Sequence, residues 1–448
     1  WNDPEVAHIP YNRLPTDDPW ILVDEDERRV MRRMEEAGLR LSQARWTSQI
    51  MQGLITSADH IFHLQRIAPG IYHHRHKNGT EAEVEIEDEI MRPLVDGKIA
   101  KRFIVPEPEK WILFPYYVGP EKSRLFTPEE MQSRFPKAWS YLALHEKELR
   151  ARETGKFDDS HWYRFGRTQA IDKQEHAKLC VAATVRHLQL FFDHSGSLYI
   201  HNVRVNGILP RDSDTGWYLL GILNSEIADF YFRRIAKPKD NDYFEANKQF
   251  IAPIPIPEAP DSERRNVMDA AYQLQAKHSE QSRLNRALVQ RLNGTHVRSR
   301  ERGNKWLFGS TEKSLVASKL ESVANSLEPG ARLETELHDG ELQLLANGRP
   351  VLSEIYVDSE EVDFIAAQWR HYCQTTGVTD GITAKKLCDR FSTVAETDNR
   401  ALRDQVVDID RQIVELNASI RELEDTLNGS VVRLYGLSDE ERGIVNTR

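Results

Sequence analysis

The motifs that usually carry enzyme chemistry are missing from these 448 residues. None of the 23 glycines has another two positions along the chain, so no GxG occurs. That removes the dinucleotide fingerprint and the glycine-rich turn under S-adenosylmethionine, which both need close backbone approach to the cofactor. The Walker phosphate loop fails as well, because Gly97-Lys98 runs into Ile99 and Gly155-Lys156 into Phe157. HExxH and GxSxG are absent. Cysteine is scarce: Cys180, Cys373 and Cys388 show no CxxC spacing, which argues against a cysteine zinc site and for reduced packing residues in a cytoplasmic protein. No apolar run approaches the ~18 residues of a membrane span, and a mean hydropathy of −0.59 describes a soluble globular chain without membrane partners. No signal-peptide pattern opens the sequence. It starts at Trp1 rather than Met, which suggests a piece of a longer polypeptide.

The net charge of −10 excludes a uniformly basic nucleic-acid binder, but distribution matters more than the sum. Residues 131–210 carry 12 Lys/Arg against 8 Asp/Glu, whereas residues 1–50 carry 7 against 10. At this length about two to four domains are expected, at ~100–200 residues each. Residues 24–38, "DEDERRVMRRMEEAG", read as a charged helix with Gly38 as its C-cap. Short β-branched and aromatic runs separated by turns then predict a mixed α/β domain ending near "FIAPIPIP", whose three prolines stop regular structure. A helix follows from Asp261, with Leu284, Leu288 and Leu292 at four-residue spacing and Asn293-Gly294 as a stop. Its counterpart carries Val406, Ile409, Ile413, Leu416, Ile420, Leu423 and Leu427 on one stripe, suited to packing within the chain. Between them, "RLETELHDGELQLLANGRPVLSEIYV" predicts a three-stranded meander with Asp-Gly and Asn-Gly turns, followed by two helices. The expected organisation is an N-terminal linker and helix (1–46), a recognition domain (47–260), a spacer helix (261–300), a small α+β insert (301–398) and C-terminal coiled-coil-like helices (399–448).

The densest chemistry lies in "WYRFGRTQAIDKQEHAKLCV", residues 162–181. Arg164 and Arg167 suit phosphates or guanine edges, and Gln169 suits adenine. The competing reading buries Trp162, Tyr163 and Phe165 in a core and pairs the arginines with Asp158 and Asp159. In "LYIHNVRVNG", an extended chain puts Asn202, Arg204 and Asn206 on one face opposite Val203 and Val205. In "FRRIAKPKDNDYFEANKQF", Arg233, Arg234, Lys237, Lys239 and Lys248 suit phosphate contacts. His60, His63, His73, His74 and His76 fall within seventeen residues, which leaves open a metal-dependent nuclease. "HHRHKNG" equally fits a solvated turn.

Several segments, in order, resemble the target-recognition region of TaqI-like adenine-N6 DNA methyltransferases and of fused restriction–modification enzymes. They are "MEEAGLRLSQARWTSQIMQGLITSADHIFHL" (34–64), "MRPLVDGKIAKRF" and "WILFPY" (91–116), the stretch from Arg134 to Val181, "YLLGILNSEIADFYF" (218–232), "YFEANKQFIAPIPIP" (243–257) and "VVRLYGLSDEERGIV" (431–445). The resemblance covers about 34–292 and 400–448 and leaves the insert unaccounted for. It implies a mixed α+β recognition domain with long flanking helices and sequence-specific binding of double-stranded DNA, and it places Thr56 and Ser57 in a polar loop close to DNA. With the residues suited to DNA by their chemistry, the expected DNA-binding set is Thr56, Ser57, Arg164, Arg167, Gln169, Lys178, Asn202, Arg204, Asn206, Arg233, Arg234, Lys237, Lys239 and Lys248. The family's catalytic half, with its cofactor motif and Asn/Asp-Pro-Pro-Tyr/Phe motif, has no counterpart here, since "DDPW" at 17–20 holds a single proline. Methyl transfer from S-adenosylmethionine would then belong to a partner methyltransferase domain of the same parent chain, and this chain alone would need no cofactor. Restriction–modification or phage defence is the implied setting; a non-catalytic protein-interaction scaffold is the remaining alternative.

Overall fold

A computed structural model describes residues 23–76, 79–119, 123–202, 204–298, 305–306, 331–356, 361–375, 390–391, 393–395 and 397–446. The fold is mixed α and β, and the described residues divide into two compact units. One comprises residues up to Ser279 together with those from Ile420; the other is Glu280–Ser419. Among the described residues no helix is long and apolar enough to cross a membrane.

In the first unit, the helix Glu25–Ala37 is capped by Asp24, whose side chain accepts from the Glu27 amide. Gly38 is not a left-handed cap. It leaves the helix extended, at φ −144°, and begins the strand Gly38–Arg40. This strand pairs antiparallel with Pro255–Pro257, so the proline run expected to end regular structure is itself a short strand. Prolines are tolerated there because a two-stranded edge pairing asks few backbone donors of them.

Two larger sheets carry the unit. In the six-stranded sheet the order is Tyr199–Ile200, Met91–Val95, Lys110–Leu113, His63–Ala68, Ile71–Arg75 and Glu81–Glu85. Its core holds Phe62, Tyr72, Phe114, Trp162, Tyr163, Phe165 and Tyr199. The four-stranded sheet runs Leu190–Asp193, Lys178–Ala182, Val205–Pro210, Thr47–Gln52. Its edge strand Leu190–Asp193 would expose unpaired backbone groups. Two side-chain amides satisfy them: Asn224 Oδ1 accepts from the Leu190 amide at 2.8 Å while its Nδ2 donates to the Leu190 carbonyl at 3.0 Å, and Gln275 does the same for Phe192 at 2.7 and 2.9 Å. These residues bring the helix Ser213–Leu223 and the helix Asp261–Arg298 against that edge.

The second unit contains the expected meander, Leu333–His338, Glu341–Ala346 and Arg349–Tyr356, antiparallel in that order. Asp339-Gly340 and Asn347-Gly348 all adopt positive φ, between 48° and 81°, which a two-residue hairpin turn with matching twist requires. The helix Val362–Thr375 packs on it through Ile365, Ala366 and Trp369. The second helix expected in the insert lies outside the described residues, as do Cys388, Val203 and the "DDPW" stretch. Leu284, Leu288 and Leu292 pack against Val406, Ile409 and Ile413, so the two leucine and isoleucine stripes meet within the chain. The helix Asp261–Arg298 runs through Asn293-Gly294 rather than stopping there.

Candidate nucleic-acid interface

The aromatic-rich stretch is organised from beneath by Arg152, a residue the sequence did not single out. Its guanidinium is buried and donates to four carbonyls, those of Leu149 (2.8 Å), Thr56 (2.6 Å), Trp162 (2.6 Å) and Arg164 (2.8 Å). Burial holds its pKa down, to about 10. Trp162, Tyr163 and Phe165 are buried in the core, and the Tyr163 hydroxyl donates to the Phe126 carbonyl at 2.5 Å. Arg164 donates to Asp159 at 2.6 Å and to the Lys156 and His161 carbonyls. Arg167 pairs with Glu153 at 3.0 Å, and Ser57 donates to the same carboxylate at 2.9 Å. Of the expected DNA contacts in this stretch, Arg167 and Gln169 are exposed.

The loop carrying Thr56 and Ser57 lies between two other segments. Leu54 bridges His201 on one side, and Ile55 bridges Arg167 on the other. Only glycine fits at position 53, since a Cβ there would sit 2.2 Å from the Ile200 carbonyl oxygen. Ser57 is exposed; Thr56 is fully buried, donating to Asp59 at 2.5 Å and accepting from the Ala58 amide. Its expected contact with DNA is therefore corrected to a loop-shaping role.

The polar ladder from Asn202 to Asn206 is not one face of a strand. The strand begins at Val205, and Asn206 is buried with its amide donating to the Ala246 carbonyl at 2.8 Å. Arg204 stays exposed, 3.6 Å from Asp96. Three further expectations are also corrected. Lys178 is 0% exposed and bound to Asp193, so no phosphate reaches it. Arg234 is 11% exposed and pairs with Glu27 at 2.6 Å, tying its helix to the N-terminal one. Arg233 is half-buried over the Phe244 ring, 5.3 Å from its centroid.

What the fold does bring together is a cleft of about 520 Å³ beside Arg204. The turn after Met91–Val95 contributes Lys98 and Lys101, and the chain beyond Lys178–Ala182 contributes Arg186 and Gln189. Among the described residues, Asp96 is the one acid lining it, against these four cations. Its carboxyl is buried, which raises its pKa, but the Lys98 amide (2.8 Å), Lys110 (3.3 Å) and Arg204 outweigh that and hold it below the usual range. Gly97 lets the turn approach: a Cβ would lie 2.6 Å from the Arg204 carbonyl oxygen. Tyr243 forms the far wall, with the Arg186 guanidinium 5.0 Å from its ring centroid. Tyr243 pairs with Lys239 across the hairpin Pro238–Lys239/Tyr243–Glu245, which is joined by Thr184–Val185 into a three-stranded sheet. Exposed Lys237 and Lys239 thus extend the cleft's positive charge, with Glu245 3.2 Å from Lys239. Lys248 is exposed at the start of the short helix Lys248–Ile251.

A larger cavity of about 940 Å³ lies against Arg164, but the charges among its described lining residues balance. Arg124, Arg164 and Lys173 face Asp159, Asp172 and Glu175. A polyanion gains little there, so the smaller cleft is the better candidate. Lys98, Lys101, Arg186, Gln189 and Tyr243 were missed because they come from three distant segments. A turn followed by lysines three apart, "DGKIAK", was the available signal.

The histidine group from His60 to His76 does not gather around one point: His63 sits apart, 3.7 Å from Asp59, while His60, His74 and His76 lie close enough to interact. His60 binds Glu148 at 2.9 Å, His73 lies 3.5 Å from Glu83, and His74 packs with His76 and His145 at ring separations of 4.2 and 4.8 Å.

Residues 130–256 match the family of TaqI-like C-terminal specificity domains. The match supports a TaqI-like recognition domain and a role in DNA interaction over this stretch, which includes Arg186, Gln189, Arg204 and Tyr243. No curated protein matches the sequence.

Proposed function

We propose that the chain binds double-stranded DNA in a sequence-specific manner, as the target-recognition part of an adenine-N6 methyltransferase or restriction–modification enzyme. The observation that carries this reading is the cleft beside Arg204, where four described cations and Tyr243 gather against one described carboxylate, with Arg186, Gln189, Arg204 and Tyr243 inside the segment matching a specificity domain. Lys98, Lys101, Lys237 and Lys239 are flexible point charges suited to phosphates. Arg186, Arg204 and Gln189 have the planar, paired hydrogen-bonding groups that discriminate base edges, and Tyr243 offers a flat face to sugar or base. Methyl transfer is assigned to a methyltransferase domain of the parent chain, with S-adenosylmethionine held there.

Fluorescence anisotropy of a labelled duplex against salt tests the binding. The logarithm of the association constant should fall linearly with the logarithm of salt, by roughly 0.9 per phosphate neutralised. Binding that ignores salt would refute the reading and favour a protein-interaction scaffold. Titration with S-adenosylmethionine in a calorimeter should give no saturable heat; micromolar binding would show that catalysis does not lie elsewhere.

A further inference from the structure

We propose that Asp59, His63 and His201 form a binding site for one divalent transition-metal ion of the zinc class. Their donor atoms all lie within 4.8 Å of one another. His201 Nε2 is 3.2 Å from Asp59 Oδ2, His63 Nε2 is 3.7 Å from Asp59 Oδ1, and the two imidazole rings are 4.8 Å apart, edge to face. Two imidazoles and one carboxylate are a donor set that zinc accepts, with ligand atoms about 2.0–2.2 Å from the ion, so small side-chain adjustments close the site.

The hydrogen bond at the other ring nitrogen orients His201 as a ligand. His201 Nδ1 lies 2.5 Å from the Asn202 carbonyl oxygen. A carbonyl only accepts, so Nδ1 carries the hydrogen, and Nε2 is the ring atom that faces the Asp59 carboxylate. A metal ion between Nε2 and the carboxylate would take the place of a shared proton and bond to both, and the backbone carbonyl would be the usual outer partner of a ligating histidine. His63 adds the second observation. Its side chain is 9% exposed, and its Nε2 is out of water without a hydrogen-bond partner. Leaving such a nitrogen unmatched is costly, and a metal bond would offset that cost. The Thr56 hydroxyl fixes the carboxylate by donating to Oδ1. Asp59 itself is 52% exposed, which gives an entry path and leaves the fourth position open to water. Lys110 and Arg204 lie near enough to oppose a cation, but both are paired with Asp96, at 3.3 and 3.6 Å. The ion would pin the Gly53–Asp59 loop to the turn bearing Asn202 and Arg204, whatever ligand the neighbouring cleft takes.

The test uses the full chain without a histidine tag, stripped with chelator and titrated with zinc chloride in a calorimeter. One equivalent should bind, and Asp59→Asn and His201→Gln should each weaken binding at least tenfold while circular dichroism stays unchanged. His76→Ala, in the other histidine group, should leave the affinity as it was. Should His201→Gln fail to fold, Asp59→Asn alone decides, since an amide keeps the bond from Thr56 but is a poor ligand. Absence of saturable binding, or binding undiminished by Asp59→Asn, overturns the site.

Discussion

Lys178 Nζ lies 2.7 Å from Asp193 Oδ2 with the two side chains 0% and 1% exposed, a fully buried ion pair. Lys178 also donates to the Gln174 and His176 carbonyls, at 2.5 and 3.3 Å, and Asp193 accepts from the Ser197 and Leu198 amides, at 3.2 and 3.0 Å. The lysine's hydrogens are thus spent on Asp193 and the 174–176 carbonyls, and the aspartate closes the 193–198 turn. Removing one partner leaves an uncompensated charge in a water-free site, which costs about 3–5 kcal/mol. Lys178→Met should therefore lower the urea-unfolding free energy by that amount while leaving the salt slope of DNA binding unchanged. A reduced slope in folded protein would instead make Lys178 a phosphate ligand.

Arg152 is the second residue whose loss should be felt at a distance. Its guanidinium joins the Thr56 carbonyl to those of Trp162 and Arg164, so one side chain holds two surface segments together. Hydrogen bonds to charged groups contribute about 1.5–3 kcal/mol each when net costs are counted, and orphaned carbonyls add to the loss. Arg152→Met should destabilise by at least about 3 kcal/mol and raise the amide exchange of residues 54–58 and 162–167. Exchange unchanged in those segments would mean that backbone bridges alone hold them.

Legibility in the sequence follows from how local each cause is. The meander was readable because Asp339-Gly340 and Asn347-Gly348 specify their turns within two residues, and the stripe from Val406 to Ile413 because a single period places it. The burial of Trp162, Tyr163 and Phe165 followed from ring size alone, yet it competed with a DNA role until their surroundings were known. Lys178 and Arg234 could not be told from surface cations, because Asp193 and Glu27 are brought to them by tertiary folding. The same is true of the cleft, where Lys98, Arg186, Arg204 and Tyr243 meet from four places in the chain. Pro255–Pro257 misled because its partner strand lies more than two hundred residues earlier.

Phosphate and base contacts in the cleft should separate by mutation. Lys98→Ala and Lys101→Ala should each weaken binding to all duplexes alike and reduce the salt slope by about 1. Gln189→Ala should leave the slope intact and lose about 1–3 kcal/mol of discrimination at one base pair. Competition with duplexes substituted one position at a time distinguishes the two, and a uniform effect from Gln189→Ala would remove it from base readout.

His74 gives the chain an acid-sensitive point. Burial, followed by the charges of His145, His76 and His60, lowers its pKa to about 4 from an unfolded value of 6.5. Its ring also meets Tyr141, and Glu148 lies on His60 as the nearest acid of the group. Between pH 4 and 6.5 the unfolded chain binds a proton at this site that the folded chain does not, so stability is fully present above about 6.5 and declines as pH falls toward 4. His74 Nε2 is buried without a hydrogen-bond partner and the ring otherwise bonds the His60 backbone, so an apolar side chain in its place forfeits that one bond. His74→Leu should therefore flatten the acid limb by up to one proton, with His145, itself lowered by burial, supplying the remaining slope. Urea unfolding at pH 7, 6, 5 and 4.5 measures it. Equal losses in the parent and the variant across that range would mean that His74 is already protonated in the folded state.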